Sequence, residues 1–209
     1  MLRVSGQQPI ELIDSWTQTD ASGDYTIDFS GKTFQAGDLC VVVLCTWSAD
    51  THTLSGFTKT HNTQYDGEDF YCIFERVLDG TETTKASSGG GTLLATSINV
   101  MVFRNTSAIT GLVDTSYVTA SNPNPPSISN VEEDDWVIAC GASGTKNYTA
   151  TAPTNYTLIE EAGVTSGSGN TTTMTAYRTG VSGTVDPGAF GGGTTSLYVC
   201  QSTFRLVPS

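Results

Sequence analysis

Charge is scarce in this 209-residue chain, and positive charge scarcest: 14% of residues are charged, with 9 Lys and Arg against 21 Asp and Glu. The formal net charge of −12 repels a phosphate backbone instead of releasing counterions from it, which argues against a nucleic-acid partner. No apolar run approaches the ~20 residues of a membrane-spanning helix, so no membrane partner is expected. The opening Met1-Leu2-Arg3-Val4-Ser5-Gly6-Gln7-Gln8 lacks the basic start and apolar stretch of a secretory leader, which points to synthesis in a cytoplasm. Histidine occurs twice, at His52 and His61, with neither HExxH nor paired-cysteine spacing, so no metal or other cofactor is expected. A Gly-x-Ser-x-Gly elbow is missing. The two Gly-Gly-Gly-Thr stretches are not followed by Lys or by a helical pattern, so they read as strand-to-strand turns and not as phosphate cradles. No catalytic residue emerges, and the chain reads as a non-enzyme.

Cysteine is present but odd in number. Cys40, Cys45, Cys72, Cys140 and Cys200 all sit in apolar, strand-like runs, and the expectation is buried thiols acting as small hydrophobes. The acidic run Glu132-Glu133-Asp134-Asp135 reads as a solvated strand entrance.

What the chain does have is an internal repeat. Ile73-Phe74-Glu75-Arg76-Val77, followed by Gly89-Gly90-Gly91-Thr92, returns as Thr175-Ala176-Tyr177-Arg178-Thr179 and Gly191-Gly192-Gly193-Thr194, with 76 moving to 178 and 89 to 191. Gly37-Asp38-Leu39-Cys40-Val41-Val42 matches Asp134-Asp135-Trp136-Val137-Ile138-Ala139, and Phe103-Arg104 returns as Phe204-Arg205. These matching positions read as turns, strand entries and strand ends.

Alternation at Tyr25, Ile27 and Phe29 marks a half-buried strand, and the nearly continuous apolar run Leu39 to Leu44 marks one covered on both sides. Further strands are expected over 70–77, 94–103, 111–119, 136–142, 156–161, 171–179 and 195–207, separated by Gly, Pro, Asn and Asp turns. Each half alone leaves an apolar sheet face uncovered. The chain therefore reads as one domain over 1–209, an all-β, jelly-roll-like antiparallel β-sandwich of two sheets. Its pseudo-repeats span about 24–119 and 127–207, behind an N-terminal extension, 1–23.

Several of these segments together resemble a β-sandwich module of tailed-phage structural proteins and some bacterial surface proteins. They are Tyr25-Thr26-Ile27-Asp28-Phe29, the Gly37-Asp38-Leu39 strand entry, Ser55-Gly56-Phe57-Thr58 and its counterpart Pro153-Thr154-Asn155-Tyr156-Thr157-Leu158-Ile159, and the closing Phe-Arg pairs. The second repeat departs from the pattern with Asp134-Asp135-Trp136 and with Tyr156 where the module usually has Trp. The resemblance covers about residues 24 to 207 and implies a non-enzymatic virion protein, with a capsid decoration or cement subunit as the first expectation. The implied partners are the major capsid protein, other virion subunits and further copies of the chain. The alternative is a tail-associated module that binds glycan or another host surface. Candidate contact residues are Trp47, His52, His61, Tyr148 and Tyr156, in and near the loops 52–69 and 145–156.

Overall fold

Where β-branched and aromatic residues alternate or run together, the chain extends and pairs, always antiparallel. The computed structural model describes residues 6–20, 25–47, 51–65, 68–88, 95–120, 122–144, 149–166, 169–192 and 198–209. Tyr148, the Gly89-Gly90-Gly91 and Asp66-Gly67 turns and part of the second Gly-rich turn lie outside them. The first half forms β1 (Glu11–Asp20), β2 (Thr26–Ile27), β3 (Leu39–Thr46), β4 (Thr53–Leu54), β5 (Thr58–Tyr65), β6 (Glu68–Val77), β7 (Lys85–Ser88) and β8 (Thr96–Arg104). The second half forms β9 (Ile109–Val118), β10 (Ile128–Val131), β11 (Trp136–Ser143), β12 (Thr157–Ser166), β13 (Gly169–Arg178), β14 (Gly183–Val185) and β15 (Val199–Leu206). Among the described residues there is no helix.

Pairing in the first half is nested: β1 with β8, β2 with β7 and β3 with β6. Winding this long double strand brings β3 beside β8 and β4 beside β7, which is jelly-roll topology. The products are a large sheet, β1-β8-β3-β6-β5, and a small one, β2-β7-β4. The second half repeats the winding, with a large sheet β12-β13-β11-β15-β9 and a small pair β10-β14. A single bridge between Thr151 and Gly191 stands where β4 meets β7 in the first half. The chain is thus an all-β sandwich of two large sheets, each contributed whole by one repeat.

The strands differ from those expected in two respects. The stretch 52–69, expected as a loop, holds β4, β5 and the start of β6, with β5 as an edge of the first large sheet. The stretch 1–23 contains β1, which pairs with β8, and β9 pairs with β15 in the second large sheet. At the level of sheets the repeats therefore run over 11–104 and 109–206. The outer strands Glu11–Asp20 and Ile109–Val118 are sheet edges with mixed, partly polar sequences, so the strict alternation of a half-buried strand is weak in them.

Three apolar layers result. Inner-face residues Leu39, Val41, Val43, Ile73, Met101 and Phe103 pack against Ile138, Cys140, Phe204 and Leu206 of the other half. The outer face of the first large sheet is covered by Tyr25, Ile27, Phe29 and Leu54 from the small sheet and its loops. The outer face of the second is covered by Ile128, Val131, Val185 and Phe190. Both faces of β3 are buried along its whole length, which is why its sequence is continuous Leu, Cys and Val and does not alternate.

The repeated Asp and Arg are one device built twice. Arg104 donates through Nε and Nη2 to the two carboxylate oxygens of Asp38, each at 2.9 Å, and the Gln35 N–H donates to Asp38 Oδ2 at 2.9 Å. In the second half Arg205 Nη1 donates to Asp135 Oδ2 at 2.8 Å, and the Glu132 N–H donates to the same oxygen at 3.0 Å. Each Asp is 1% exposed, so its charge is tolerated only because turn amide and guanidinium both meet it. The two devices differ in register. Leu39 is paired with Phe103, whereas Trp136 is paired with Leu206 and not with Phe204. A slide of two residues keeps every side chain on its own face, so the Phe-Arg pair still points correctly.

The matching turn motifs also coincide in three dimensions. The Phe57 N–H donates to Leu54 O at 3.0 Å and the Tyr156 N–H to Pro153 O at 2.9 Å. The third residue of each turn has positive φ, 77° at Gly56 and 66° at Asn155, a conformation open to Gly and to Asn but costly for most residues.

Replacing Asp38 by Ala strands the Arg104 guanidinium and the Gln35 N–H. The expected loss is about 1.5–3 kcal/mol, read as a lower urea midpoint with unchanged slope; an unchanged midpoint would mean that the pair contributes nothing.

Candidate functional site

Of the five residues singled out from the sequence, Tyr148 lies outside the described residues, and the other four fall into different settings. His52 immediately precedes β4, and its ring lies fully inside, 0% exposed, with its centroid 6.0 Å from that of Tyr25. It is part of the first half's outer layer and presents no surface. Tyr156, placed by the turn at Asn155, is buried in the corresponding layer of the second half. Burial raises its phenol to about 12, and among the described residues its hydroxyl has no protein partner.

Trp47 leaves the end of β3 and lies across to the other half. Its indole N–H donates to Asn170 O at 2.9 Å, and its ring meets Phe70 and Tyr198 edge-on at centroid distances of 5.2 and 5.3 Å. Tyr198 in turn stacks on Tyr117 at 5.2 Å. A Cβ built on Gly144 would lie 3.0 Å from the Trp47 ring, and Gly144 is the position equivalent to Trp47 in the second repeat. One repeat keeps the large ring, and the other vacates the space it fills. Trp47 is therefore a half-buried wedge between the halves, with its N–H and much of its ring already engaged.

His61 lies at a seam between the halves. Its Nε2 is 3.1 Å from Thr63 Oγ1 and 3.8 Å from Asp114 Oδ2 of β9, and its ring stands edge-on to Tyr71 at 5.8 Å. The pairing of β5 with β6 shifts register between Lys59 and His61, and that of β12 with β13 shifts at the equivalent place, between Leu158 and Glu160. The residue after each bulge reaches across a seam: His61 to Asp114, and Glu160 Oε1 to the Ser15 hydroxyl, which donates at 2.7 Å. A bulge re-aims one side chain without changing the rest of the strand. Asp114, Glu160 and Ser15 carry no signal in the sequence, because the seam exists only once β5 lies over β9 and β1 over β12.

All four outer strands of the large sheets carry such irregularities, in β1·β8, β5·β6, β12·β13 and β15·β9. The interior pairings β3·β6, β3·β8, β11·β13 and β11·β15 run without a shift. Bulged edges resist addition of a further strand.

Groups with chemical potential are drawn inward. All five cysteines are free and buried, as expected from the sequence, and burial pushes the Cys140 and Cys200 thiols up to about 12. Tyr71 shares a hydrogen bond of 2.7 Å with Ser202, and the Asn99 amide bonds Glu160 O at 3.1 Å and accepts from Thr173 Oγ1 at 3.2 Å. Each of these bonds joins one half to the other. Among the described residues no three His, Cys, Asp or Glu side chains gather as metal ligands. The arrangement holds two sheets together and fixes their edges.

Burial holds His61 below its ordinary value, and Asp114 opposes that without cancelling it. With the folded pKa depressed, the unfolded chain takes up the proton first. Stability is complete above the unfolded value of ~6.5 and is lost as pH falls below it. Thermal melts between about pH 7.5 and about pH 5.5 should show a smaller loss for His61→Gln than for the parent, and a larger one for Asp114→Asn; equal losses in all three would rule out this assignment. Tyr156→Phe removes a buried hydroxyl, and its unfolding free energy is expected to be unchanged or up to about 1 kcal/mol higher; a marked loss in urea titration would reveal a partner for the hydroxyl. No family model, no curated protein and no solved structure matches this chain.

Proposed function

We propose that this protein is a non-enzymatic structural subunit of a phage virion, made in the host cytoplasm and displayed in many copies on the capsid surface as a decoration or cement protein. The observation that carries the reading is the treatment of the sheet edges, each bulged in both halves while the interior strands pair regularly. A subunit held at high local density needs such edges, since a regular exposed strand would pair with its neighbours. Excess negative charge, −12 over the chain, acts in the same direction by mutual repulsion.

The resemblance to the phage module supports the same reading. Its signature residues are the ones that build the jelly-roll turns and the two Asp-Arg pairs, Asp38 with Arg104 and Asp135 with Arg205. The alternative of a glycan-binding tail module draws less support, because Trp47, its first aromatic candidate, has its N–H bonded to Asn170 and its ring packed between Phe70 and Tyr198. Quantitative mass spectrometry of purified particles is the deciding measurement. Many copies per particle, in fixed ratio to the shell subunit, are expected; a handful or none would overturn the proposal.

A further inference from the structure

The two halves meet as partners in a symmetric dimer do. β1 packs on β12 and, reciprocally, β9 packs on β5. Because β1 corresponds to β9 and β5 to β12, this is an approximately isologous interface whose two members share one chain. Covalently, the halves are joined through the connection 105–108 alone. Other ties gather around it without being covalent: Asn105 Nδ2 donates to Pro9 O at 2.7 Å and the Ser209 N–H to Asn105 O at 2.9 Å.

We propose that the face between the large sheets is also an interface for a second copy of this chain, formed by exchange of whole halves about residues 105–108. In the exchanged dimer the first half of each copy packs on the second half of the other. Every bond across the face is then regenerated, including Ser15 with Glu160, Tyr71 with Ser202 and Trp47 with Asn170. The two forms differ only in the connection and in the entropy of association, so concentration decides between them. The connection is also where the closed monomer carries local cost. Thr106 is buried with its hydroxyl lacking a protein partner among the described residues. Opening the turn exposes that hydroxyl to water, and a short connection that carries such a cost favours exchange.

The test is refolding of the full chain from urea over a range of protein concentrations, with mass read by light scattering on the eluted species. A monomer at low concentration and a discrete species of twice the mass at high concentration are expected, both with the same circular dichroism spectrum. Deletion of Thr106 and Ser107 should shift the population toward the dimer at every concentration, and a long Gly/Ser insert at the same place should shift it toward the monomer. Monomer alone at all concentrations of the parent chain overturns the proposal. So does a parent dimer whose yield ignores the insert, because contact between outer surfaces does not depend on the connection. If the deletion variant fails to fold, the parent and the insert decide between them.

Discussion

Burial of the two inner sheet faces against each other is the constraint on which the rest of the molecule depends. Each repeat winds into a jelly roll whose small sheet covers only the outer face of its large sheet. The inner face, with Leu39, Val41, Ile73 and Phe103 in one half and Ile138, Phe204 and Leu206 in the other, has no cover within its own repeat. An apolar sheet face must be buried against another layer, and here that layer is the second copy of the same plan. Each large sheet consequently has apolar residues on both sides. β3 and β11 run through the middle as almost unbroken apolar segments.

The interface is not uniform along the strands. Near the Asp-Arg pairs it is apolar and aromatic, with Trp136 stacked on Tyr177 at 4.6 Å and edge-on to Phe103 at 6.1 Å. Around mid-strand it becomes polar: Asn99, Thr173, Thr175 and Ser202 are fully buried and joined by hydrogen bonds across the sheets. At the far strand ends it is aromatic again, with Trp47 set edge-on to Phe70 and Tyr198. A hydrogen bond between the sheets adds direction to what hydrophobic burial leaves nondirectional. The apolar ends supply attraction, while the polar middle and the two seams fix how one sheet lies on the other. Such a molecule is suited to holding a shape, which is what the proposed place on a virion surface asks of it.

Much of this was legible beforehand for a definite reason. Residues whose role is local, such as a turn, a strand entry or a strand buried on both faces, leave local patterns. The repeated Gly37-Asp38-Leu39 and Asp134-Asp135-Trp136 entries and the Phe-Arg endings were visible because each half needs the same pair in the same place. The edge strand β1 was not, since half of it faces solvent and a bulge after Leu12 breaks its period. His52 read as a loop residue and Tyr156 as the start of a strand behind a polar loop, and both are core. Their neighbours in the chain are polar, and what buries each ring is a layer formed by distant strands.

By itself, then, the sequence determined the all-β class, the duplication, the free buried thiols and the paired turn motifs, because each follows from period, composition or repetition over a few residues. Only the tertiary structure decided that each repeat forms a complete large sheet, that Trp47 fills space left by Gly144, and that bulges turn His61 toward Asp114 and Glu160 toward Ser15. Those facts concern pairs of residues about 50 to 150 positions apart in a chain wound twice over, a spacing that no pattern in the local sequence records.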